Sequence, residues 1–510
     1  MMLTPKGLNQ TDLDATLEKL SKQPPILKGV LSNQRIKTYQ ISHNQIKFNY
    51  ACSHVTDSIL DALQHLAQEQ QVIEKYQELL SGKYVNRTEK RAVTHHLTRS
   101  SQKSMYQDEQ SRIKIFCEKV QSGEIKGSTG KLFSTVVQVG IGGSELGPKA
   151  ICTALSETYT ANYKFHFISN IDPAMAKRVL DSIQWEETLF IFVSKSGGTL
   201  ETCQNERFIR DYLSKKGLKA SHQVKHMLSV TTQGSQLDIS GEYVERFYID
   251  DSIGGRYSVT SAVGGLIISL VFGVKCFELF LAGAAHMDEQ ALHPSCTDNM
   301  ALMSALITVW NRVYLKCSAK CIVNYGDALR YFGNHIQQLE CESNGKSATA
   351  IGGEIDYQTG PIIVSGVGCN DQHSFFQLLH QGTQSIPVEW IAVANPIGNA
   401  SDLREEMKGQ LNENVIAQMV ALAQGQSHAN QRKWFPGNRA SSLFLLKDLG
   451  AESLGALLSV YENATMFQGF LWGINSFDQE GVQLGKALSN QVANAEKNSV
   501  LGSFLDWFNF

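Results

Sequence analysis

The sequence predicts an α/β protein with two doubly wound parallel sheets, preceded and followed by helical segments. Three observations support this fold class. Short apolar runs alternate with helical patterns from about residue 130, and the same alternation resumes after residue 300. Such an alternation is typical of a parallel sheet that helices cover on both faces. With 510 residues the chain is also too long for one hydrophobic core, so we expect two or three domains.

The composition is that of an ordinary soluble globular protein. Hydrophobic residues make up 42% and charged residues 19% of the chain, and the formal net charge is −3. No broad basic field for nucleic acid is therefore expected. The ten cysteines form no C-x-x-C pair, which argues against a zinc ribbon or a redox pair and suits free thiols in a reducing compartment.

Neither a signal peptide nor a membrane span is predicted. The first residues, M-M-L-T-P-K-G-L-N-Q-T-D, lack the apolar core of a signal peptide. The longest apolar run, residues 262–274, is shorter than the roughly 20 residues that cross a bilayer. We therefore expect a cytoplasmic protein.

Residues 1–115 are predicted to form an N-terminal helical segment that packs on the core. Apolar residues between 57 and 80 recur at helical spacing and predict one amphipathic helix, which begins near Thr56 or Asp57 and ends near Gly82. The stretch N-R-T-E-K-R-A-V-T-H-H-L-T-R at 86–99 predicts a second helix. Taken alone, its charged and histidine-rich face is more typical of a merely solvated surface.

Two α/β units follow this segment. Buried strands of the first unit are predicted from continuous apolar runs at 135–141, 163–169, 189–194, 227–232 and 246–250. Those of the second unit are predicted at 320–325, 361–365, 388–395 and 442–447. A loop near 285–300 separates the units, which gives domains at 116–290 and 291–470 and a C-terminal segment at 471–510.

Two loops rich in glycine and hydroxyl groups follow strands of the first unit, at the sheet edge where ligands of parallel sheets bind. G-I-G-G-S at 140–144 allows the backbone to approach an anion at the start of the next helix. S-K-S-G-G-T-L-E-T at 194–202 adds hydroxyl groups and one lysine, which makes a compact phosphate cradle. Either loop alone is also consistent with an ordinary strand-to-helix turn, but two on one sheet favour a phosphate site.

A third loop and a later helical stretch supply candidate chemical groups. Arg256 lies between a glycine pair and a predicted helix start, where a guanidinium stabilises an oxyanion or simply forms a structural ion pair. Glu342 lies between a glutamine-rich helical run and the turn S-N-G-K. His373 and His380 are seven residues apart and so fit one face of a helix that ends at Gly382. These residue types suit general acid–base chemistry, although each alone is also typical of a surface glutamate or a buried histidine.

Seven motifs lie in order along nearly the whole chain. They are N-R-T-E-K-R-A-V at 86–93, G-I-G-G-S-E-L-G-P at 140–148, S-K-S-G-G-T-L-E-T at 194–202, G-G-R-Y-S at 254–258, Q-Q-L-E-C-E-S-N-G-K at 337–346, Q-H-S-F-F-Q-L-L-H-Q-G-T at 372–383 and W-G-I-N-S-F-D-Q-E-G-V-Q-L-G-K at 472–486. The loop S-x-S-G-x-T resembles that of sugar isomerase (SIS) domains, which bind phosphosugars. Together the seven motifs resemble the glucose-6-phosphate isomerase family, also called the phosphoglucose isomerases, with two SIS-type domains.

The resemblance implies reversible isomerisation of glucose 6-phosphate and fructose 6-phosphate through an enediol(ate), in glycolysis and gluconeogenesis. It implies Glu342 as the base that moves the proton, and His380 with Lys486 as the groups that open the sugar ring. Arg256 then faces the enediolate. The implied substrate-binding residues are Gln338 and Gln479, with Gly143, Ser144, Ser194, Lys195, Ser196 and Thr199 at the phosphate.

The resemblance also implies a homodimer in which His380 is contributed across the interface. Neither a metal nor a cofactor is expected, because the chain has no H-E-x-x-H motif and a cationic side chain is available for the enediolate. The sequence departs from the family at four positions. The family usually has bulkier residues at Gly197 and Gly198, methionine at Cys341 and glutamate at Gln483. The double glycine puts side-chain contacts at those two positions in doubt.

Two other functions stay open. A non-catalytic protein that senses phosphosugars would keep both phosphate loops but would need none of Glu342, His380 and Lys486, and all three are present. An isomerase of different selectivity would also accept mannose 6-phosphate at the same site. Comparing the turnover of fructose 6-phosphate and mannose 6-phosphate distinguishes these two isomerases.

Overall fold

The computed structural model describes residues 6–83, 85–100, 105–394, 402–492, 494–496 and 498–508. Its strands are β1 Gln40–His43, β2 Ile46–Asn49, β3 Val85–Asn86, β4 Arg91–Ala92, β5 Thr135–Val139, β6 Lys164–Ile168, β7 Thr188–Val193, β8 Met227–Thr231, β9 Glu245–Tyr248, β10 Ala319–Tyr325, β11 Ile362–Gly368, β12 Val388–Val393 and β13 Ser441–Leu446.

Helices before, between and after these strands cover the sheets. They are α1 Asp14–Leu20, α2 Leu27–Val30, α3 Asn33–Thr38, α4 Asp57–Glu69, α5 Val72–Leu80, α6 Met105–Gln121, α7 Leu146–Leu155, α8 Pro173–Ser182, α9 Leu200–Lys215, α10 Ala220–Gln223, α11 Ala262–Phe272, α12 Val274–Gln290, α13 Met300–Val309, α14 Phe332–Asn344, α15 Phe376–Gln381, α16 Leu403–Gln424, α17 Ala451–Trp472, α18 Gln483–Val492 and α19 Val500–Phe508.

The predicted α/β fold class is confirmed, and every predicted strand is present. The first sheet has the order β6-β5-β7-β8-β9 with all strands parallel. Continuous apolar runs form these strands because both faces of a parallel sheet are covered, and all six residues of β7 are buried. In the second sheet β10, β11, β12 and β13 are likewise parallel.

The second sheet also contains a hairpin from the N-terminal segment. β2 pairs antiparallel with β13, and β1 pairs antiparallel with β2 at the sheet edge. The prediction that residues 1–115 are mostly helical is therefore wrong for residues 40–49. Ile41, Ile46 and Phe48 alternate with exposed residues and so fit a strand with one buried face. Phe48 stacks on Phe444 of β13, with 4.4 Å between the ring centroids.

Two helix predictions in this segment are also wrong. The single helix predicted at 57–80 is broken into α4 and α5 at Gln71, which has a positive φ of 52°. The preceding Gln70 donates its side-chain amide to the carbonyl oxygens of Lys6 and Leu471, so tertiary contacts fix the break. Instead of a helix, residues 86–99 contain the short β3–β4 pair and a 3₁₀ turn, His95–Thr98.

A buried charge network ties the N-terminal segment to the central helices. The Arg99 guanidinium donates to both oxygens of Asp288 on α12, at 2.5 and 2.8 Å, and also to Glu462 on α17. These side chains are almost fully buried. Because a buried charge is costly without partners, the arrangement stabilises one relative position of these three segments.

One stretch, Gly255–Phe272, is long and apolar enough to cross a membrane, with a mean hydropathy of 1.3. However, 94% of it is buried inside the protein. Its helical part, α11, packs against α6, α7 and α12. The stretch is therefore a core helix of the fold.

The central helix α17 packs closely on α12 and generates a test of the fold. A methyl group at Gly455 would lie 1.9 Å from the carbonyl oxygen of Phe280, which is backbone and cannot rotate away. We expect Gly455→Ala to destabilise the protein by about 1–3 kcal/mol, because overpacking outweighs the better helix propensity of alanine. Thermal unfolding followed by circular dichroism measures the change.

The matched control is Gly409→Ala on α16, where the described residues place no atom within 4 Å of the new methyl group. This substitution should leave the melting temperature unchanged or raise it. Equal melting temperatures for the two variants would contradict the close packing of α12 and α17.

Candidate functional site

The candidate site lies at the carboxyl edge of the first sheet, where the strand order reverses. β5 pairs with β6 on one side and β7 on the other, so the loops after β5 and β7 diverge and leave a crevice. The loop after β5 forms a 3₁₀ turn, Gly142–Ser144, before α7 begins. A methyl group at Gly143 would lie 2.1 Å from the carbonyl oxygen of Gly255. This close backbone approach brings the Arg256 loop against the first phosphate loop.

Arg256 joins three parts of the chain at this edge, and it is only 2% exposed. Its Nε donates to Ser343 Oγ on α14 at 2.6 Å. Its Nη1 donates to Gln479 Oε1 at 2.9 Å, and its Nη2 donates to the carbonyl oxygens of Ser476 and Asp478 at 2.6 and 3.1 Å. The guanidinium is thus held in one orientation by the second unit and by the C-terminal segment.

Glu342 presents its carboxylate to this guanidinium. Its Oε2 lies 3.4 Å from Arg256 Nη1 and accepts a hydrogen bond of 3.1 Å from Gln338 Nε2. Gln338 and Glu342 are four residues apart on α14, so both lie on one face of the helix. A carboxylate beside a fixed guanidinium is suited to remove a proton next to an oxygen that becomes negatively charged.

Lys346, from the S-N-G-K turn, completes this cluster. Its ammonium group donates to the carbonyl oxygens of Glu342 and Asp478 at 2.6 and 2.9 Å and pairs with Asp478 Oδ1 at 3.3 Å. Burial lowers the pKa of Lys346, the nearby Arg256 lowers it further, and Asp478 opposes both. A cavity of about 460 Å³ adjoins the cluster, lined in part by Glu342, Lys346 and Gln479.

The second phosphate loop follows β7 and leads into α9. Ser194 Oγ and Thr199 Oγ1 are 2.8 Å apart, and Thr199 is the N-cap of α9. Ser196 is exposed, and its Oγ accepts a hydrogen bond of 3.3 Å from the Gly198 amide. Hydroxyl groups beside the free N–H groups of a helix start are suited to bind an anion.

Lys195 connects this cradle to the Arg256 loop. It donates to the carbonyl oxygen of Asp251 and lies 3.3 Å from the Asp251 carboxylate, which also pairs with Arg91. Burial lowers the pKa of Lys195, the Arg91 guanidinium adds to this effect, and Asp251 opposes it. The cationic groups beside the loop favour a negatively charged ligand.

The structure gathers most of the predicted site residues at one edge. Gly143, Ser144, Ser194, Lys195, Ser196, Thr199, Arg256, Gln338, Glu342 and Gln479 all lie on the loops and helix described above. The two phosphate loops and the arginine loop make contact through Gly143 and Lys195.

His380 and Lys486 are not joined to this group within one chain. His380, at the end of α15, is hydrogen-bonded to Gln418 of α16, with 2.8 Å between Nε2 and Oε1. Lys486 is exposed on α18. Across the described residues, no hydrogen bond or ion pair connects either side chain to Glu342 or Arg256.

His373 and His380 do not share a helix face, which corrects the sequence prediction. His373 ends a 3₁₀ turn, Asn370–His373, and α15 begins only at Phe376. Ser374 between them has φ −128° and ψ −89°, which no helix allows. The seven-residue spacing is therefore not evidence of a shared helix.

Sequence reasoning missed Lys346, Ser343, Ser476 and Asp478 as members of the site. All four stand inside motifs that were already singled out, so their motif membership was an available signal. Two of them act through backbone carbonyl groups, which any residue type provides. Residue type alone therefore gave no reason to select them.

The fold and the site together define a class: an α/β protein with two loops rich in glycine and hydroxyl groups beside an arginine–carboxylate pair. Residues 49–506 match the family described as phosphoglucose isomerase. The chain is 46% identical over 490 residues to the glucose-6-phosphate isomerase of Treponema denticola, with 93% of each chain covered. It is 42% identical to that of Chlamydia caviae, with 96% and 94% covered.

A crystal structure of a glucose-6-phosphate isomerase from Chlamydia trachomatis has the same fold. The TM-score is 0.92 at 39% identity, and the match covers 99% of both chains. The chain belongs to the phosphoglucose isomerase family.

The phosphate loop after β7 generates a test of the anion cradle. Gly197 has a positive φ of 70°, and a methyl group there would lie 2.7 Å from the backbone nitrogen of Gln236. We expect Gly197→Ala to weaken binding of inorganic phosphate roughly tenfold, because the strained loop shifts away from its anion-binding shape. Isothermal titration calorimetry measures the dissociation constant.

Gly198→Ala is the matched control, since its methyl group would meet only the flexible Gln236 side chain, at 3.2 Å. This variant should bind phosphate as the parent does. If both variants bind phosphate equally well, the loop is not the anion cradle.

Proposed function

We infer that the chain catalyses the reversible isomerisation of glucose 6-phosphate and fructose 6-phosphate. The observation that carries this function is the Glu342 carboxylate, 3.4 Å from the buried Arg256 guanidinium at the edge of a cavity. Family membership over residues 49–506 supports the substrate and the reaction. The enzyme is an isomerase of glycolysis and gluconeogenesis.

The phosphate group of the sugar binds in the cradle formed by Ser194, Lys195, Ser196 and Thr199, with the turn at 143–144 beside it. This end of the substrate is remote from the reacting carbons. Its binding energy therefore serves to position C1 and C2 over the carboxylate. Gln338 and Gln479 contact the sugar in this proposal, which their hydrogen bonds to Glu342 and Arg256 support.

Glu342 moves the proton between C2 and C1. It takes the proton from C2 of the open-chain aldose, the C–H electron pair forms the C1=C2 double bond, and the carbonyl oxygen becomes the enediolate oxygen. Glu342 then returns a proton to C1, where the C1=C2 electron pair forms the new C–H bond. The proton of the C2 hydroxyl passes to the enediolate oxygen on C1, which becomes the C1 hydroxyl, and the C2 oxygen becomes the ketose carbonyl oxygen. A single carboxylate thus suffices for both transfers.

Arg256 stabilises the enediolate oxygen. Its side chain is fixed by Ser343, Gln479 and two backbone carbonyl groups before substrate binds, so it needs no reorganisation during the reaction. One donor of this kind typically contributes about 10²–10³ in rate. The Arg256 guanidinium supplies the positive charge that a metal ion would otherwise provide. The proposed reaction requires no cofactor.

Ring opening is assigned to His380 with help from Lys486, and we propose that His380 acts in the neighbouring subunit of a homodimer. Two observations support a second copy. Within one chain His380 faces Gln418 rather than Glu342. The C-terminal helices α18 and α19 expose an apolar surface made of Leu484, Leu488, Val500, Phe504, Trp507 and Phe508, which a partner would cover.

Several predictions about the whole protein stand beside this function. Domain boundaries after residues 115, 290 and 470 and a cytoplasmic location remain proposals. Binding to nucleic acid or membranes is not expected. Acceptance of mannose 6-phosphate stays a second candidate, because that sugar differs from glucose 6-phosphate at C2, the carbon that Glu342 serves. A purely sensing role is disfavoured by the arginine–carboxylate pair, which phosphate binding does not require.

The substitution Glu342→Gln tests the assigned chemistry. It keeps the shape of the side chain and its contact with Gln338 but removes the base, so kcat should fall by roughly 10²–10⁴. A coupled assay of glucose 6-phosphate formation from fructose 6-phosphate measures this, with and without a chelator. Glu289→Gln, on the exposed end of α12, is the control and should be fully active. A Glu342→Gln enzyme with near-parental kcat would refute the assignment.

Mixing two inactive variants tests the shared site. If His380 serves the neighbouring subunit, a heterodimer of Glu342→Gln and His380→Ala has one site with both lesions and one with none. Random exchange makes half of the dimers mixed, and half of their sites are intact, so activity should approach about one quarter of the parent.

If both residues act in the same chain, every site carries one lesion and no exchange restores turnover. Subunit exchange must be confirmed with mass-tagged chains. Persistent inactivity after confirmed exchange would overturn the shared site but not the chemistry assigned to Glu342.

A further inference from the structure

The second sheet has its own point where the strand order reverses. β10 pairs with β11 on one side and with β12 on the other, which repeats the arrangement of β5 between β6 and β7. Local structure repeats as well. β5 is followed by the 3₁₀ turn Gly142–Ser144 and then by α7, and β10 is followed by the 3₁₀ turn Asp327–Leu329 and then by α14. Parallel sheets bind ligands at such points.

A cavity of about 440 Å³ lies at this second crevice. Tyr325 and Val393 line it from the ends of β10 and β12, and Arg404 lines it from the start of α16. Glu157 and Thr158, which follow α7 of the first unit, close the opposite side. It shares no lining residue with the cavity beside Glu342, so the two spaces are separate.

One side of the crevice carries more positive than negative charge. Arg404 and Lys408 are four residues apart on α16, and both pair with the single carboxylate of Glu157. Their side chains remain 67% and 41% exposed. A doubly charged anion would satisfy both cations better than one carboxylate does.

Among the other charged groups of the crevice, Arg330 and Asp327 pair with each other, and Asp448 is, within the described residues, hydrogen-bonded only by neutral groups. Arg330 donates to Asp327 at 2.6 Å. Asp448 accepts hydrogen bonds from the Gly450 amide at 2.9 Å and from Ser453 Oγ at 2.7 Å. Arg330 and Asp327 therefore cancel each other, whereas Asp448 keeps its negative charge. The positive charge available to a ligand is that of the Arg404 and Lys408 side of the crevice.

Hydroxyl groups and amide oxygens line the remainder. Ser156 and Thr158 each donate to a backbone carbonyl group, at 2.7 and 3.1 Å, which leaves their oxygens able to accept hydrogen bonds. Asn412 donates its amide to Val393 O at 2.9 Å and keeps its carbonyl oxygen as an acceptor. Acceptors of this kind suit the hydroxyl groups of a sugar.

We propose that this crevice is a second binding site, which takes a phosphorylated polyhydroxy compound such as a sugar monophosphate. Its phosphate group lies between Arg404 and Lys408, and its hydroxyl groups face Ser156, Thr158 and Asn412. Because the walls come from both α/β units, a bound molecule contacts both. The site is independent of the isomerase chemistry.

Equilibrium dialysis with sorbitol 6-phosphate tests the proposal. This compound has a phosphate group and hydroxyl groups but no carbonyl carbon, so the enzyme cannot isomerise it. The parent should bind one molecule in each crevice. Arg404→Ala with Lys408→Ala should weaken one of the two by roughly tenfold or more, because charged hydrogen bonds are lost. Far-UV circular dichroism checks that this variant is folded.

Glu157→Gln provides a test with the opposite sign. It removes the carboxylate that competes for Arg404 and Lys408, so the second molecule should bind more tightly than in the parent. Lys177→Ala is the control, since it removes the exposed ion pair with Asp181 on α8, and neither residue lines the crevice. Both affinities should be unchanged in this variant.

Ser196→Ala with Thr199→Ala identifies the molecule bound in the first crevice. This variant should weaken binding of that molecule only. If that variant binds as the parent does, the phosphate assignment of the active site fails while the second site stands. A single bound molecule in the parent would overturn the second site. The second site would also be overturned if both molecules bound to the Arg404→Ala, Lys408→Ala variant with parental affinity. The same holds if Glu157→Gln did not bind the second molecule more tightly than the parent.

Discussion

The structure depends on how the buried Arg256 guanidinium is satisfied. A buried cation is costly unless every donor finds a partner. Arg256 finds its partners in Ser343 of α14, in the turn at 476–479 and in the Glu342 carboxylate. These groups come from the second α/β unit and from the C-terminal segment, whereas Arg256 itself belongs to the first unit. The site therefore forms only when all three parts of the chain take up their native positions.

Buried amide and hydroxyl groups extend this constraint into the core. Asn344 donates to the Thr465 carbonyl oxygen of α17 at 3.0 Å and accepts from Ser476 Oγ at 2.7 Å. The turn that holds Arg256 is thereby fixed to α14 and to the central helix. Arg99 fixes the same central helix to the N-terminal segment and α12. The positions of Arg256 and Glu342 thus follow from paired polar groups in the interior, which leave little freedom for adjustment.

Parts of the fold and site that depend on local sequence were predictable, and parts that depend on distant partners were not. Parallel strands such as β7 are apolar throughout because both faces are buried, so continuous apolar runs in the sequence predict them. The hairpin at 40–49 is short and is stabilised by pairing with β13. The local sequence does not predict this distant partner. Glu342 and Arg256 were predictable because each is a charged residue inside a motif that resembles the family. Lys346 did not, because its partners are backbone carbonyl groups and Asp478, far along the chain.

The most direct test of the account follows the proton that Glu342 is held to move. Fructose 6-phosphate is incubated in deuterium oxide with the parent enzyme or with Glu342→Gln. Proton magnetic resonance follows the loss of the C1 proton signal of the ketose as deuterium replaces the proton. The parent should incorporate deuterium, because the proton on the carboxylate exchanges with solvent while the enediolate is bound. Incorporation with Glu342→Gln should be slower by roughly 10²–10⁴, while the sugar phosphate still binds. Exchange by this variant at a near-parental rate would contradict the central claim.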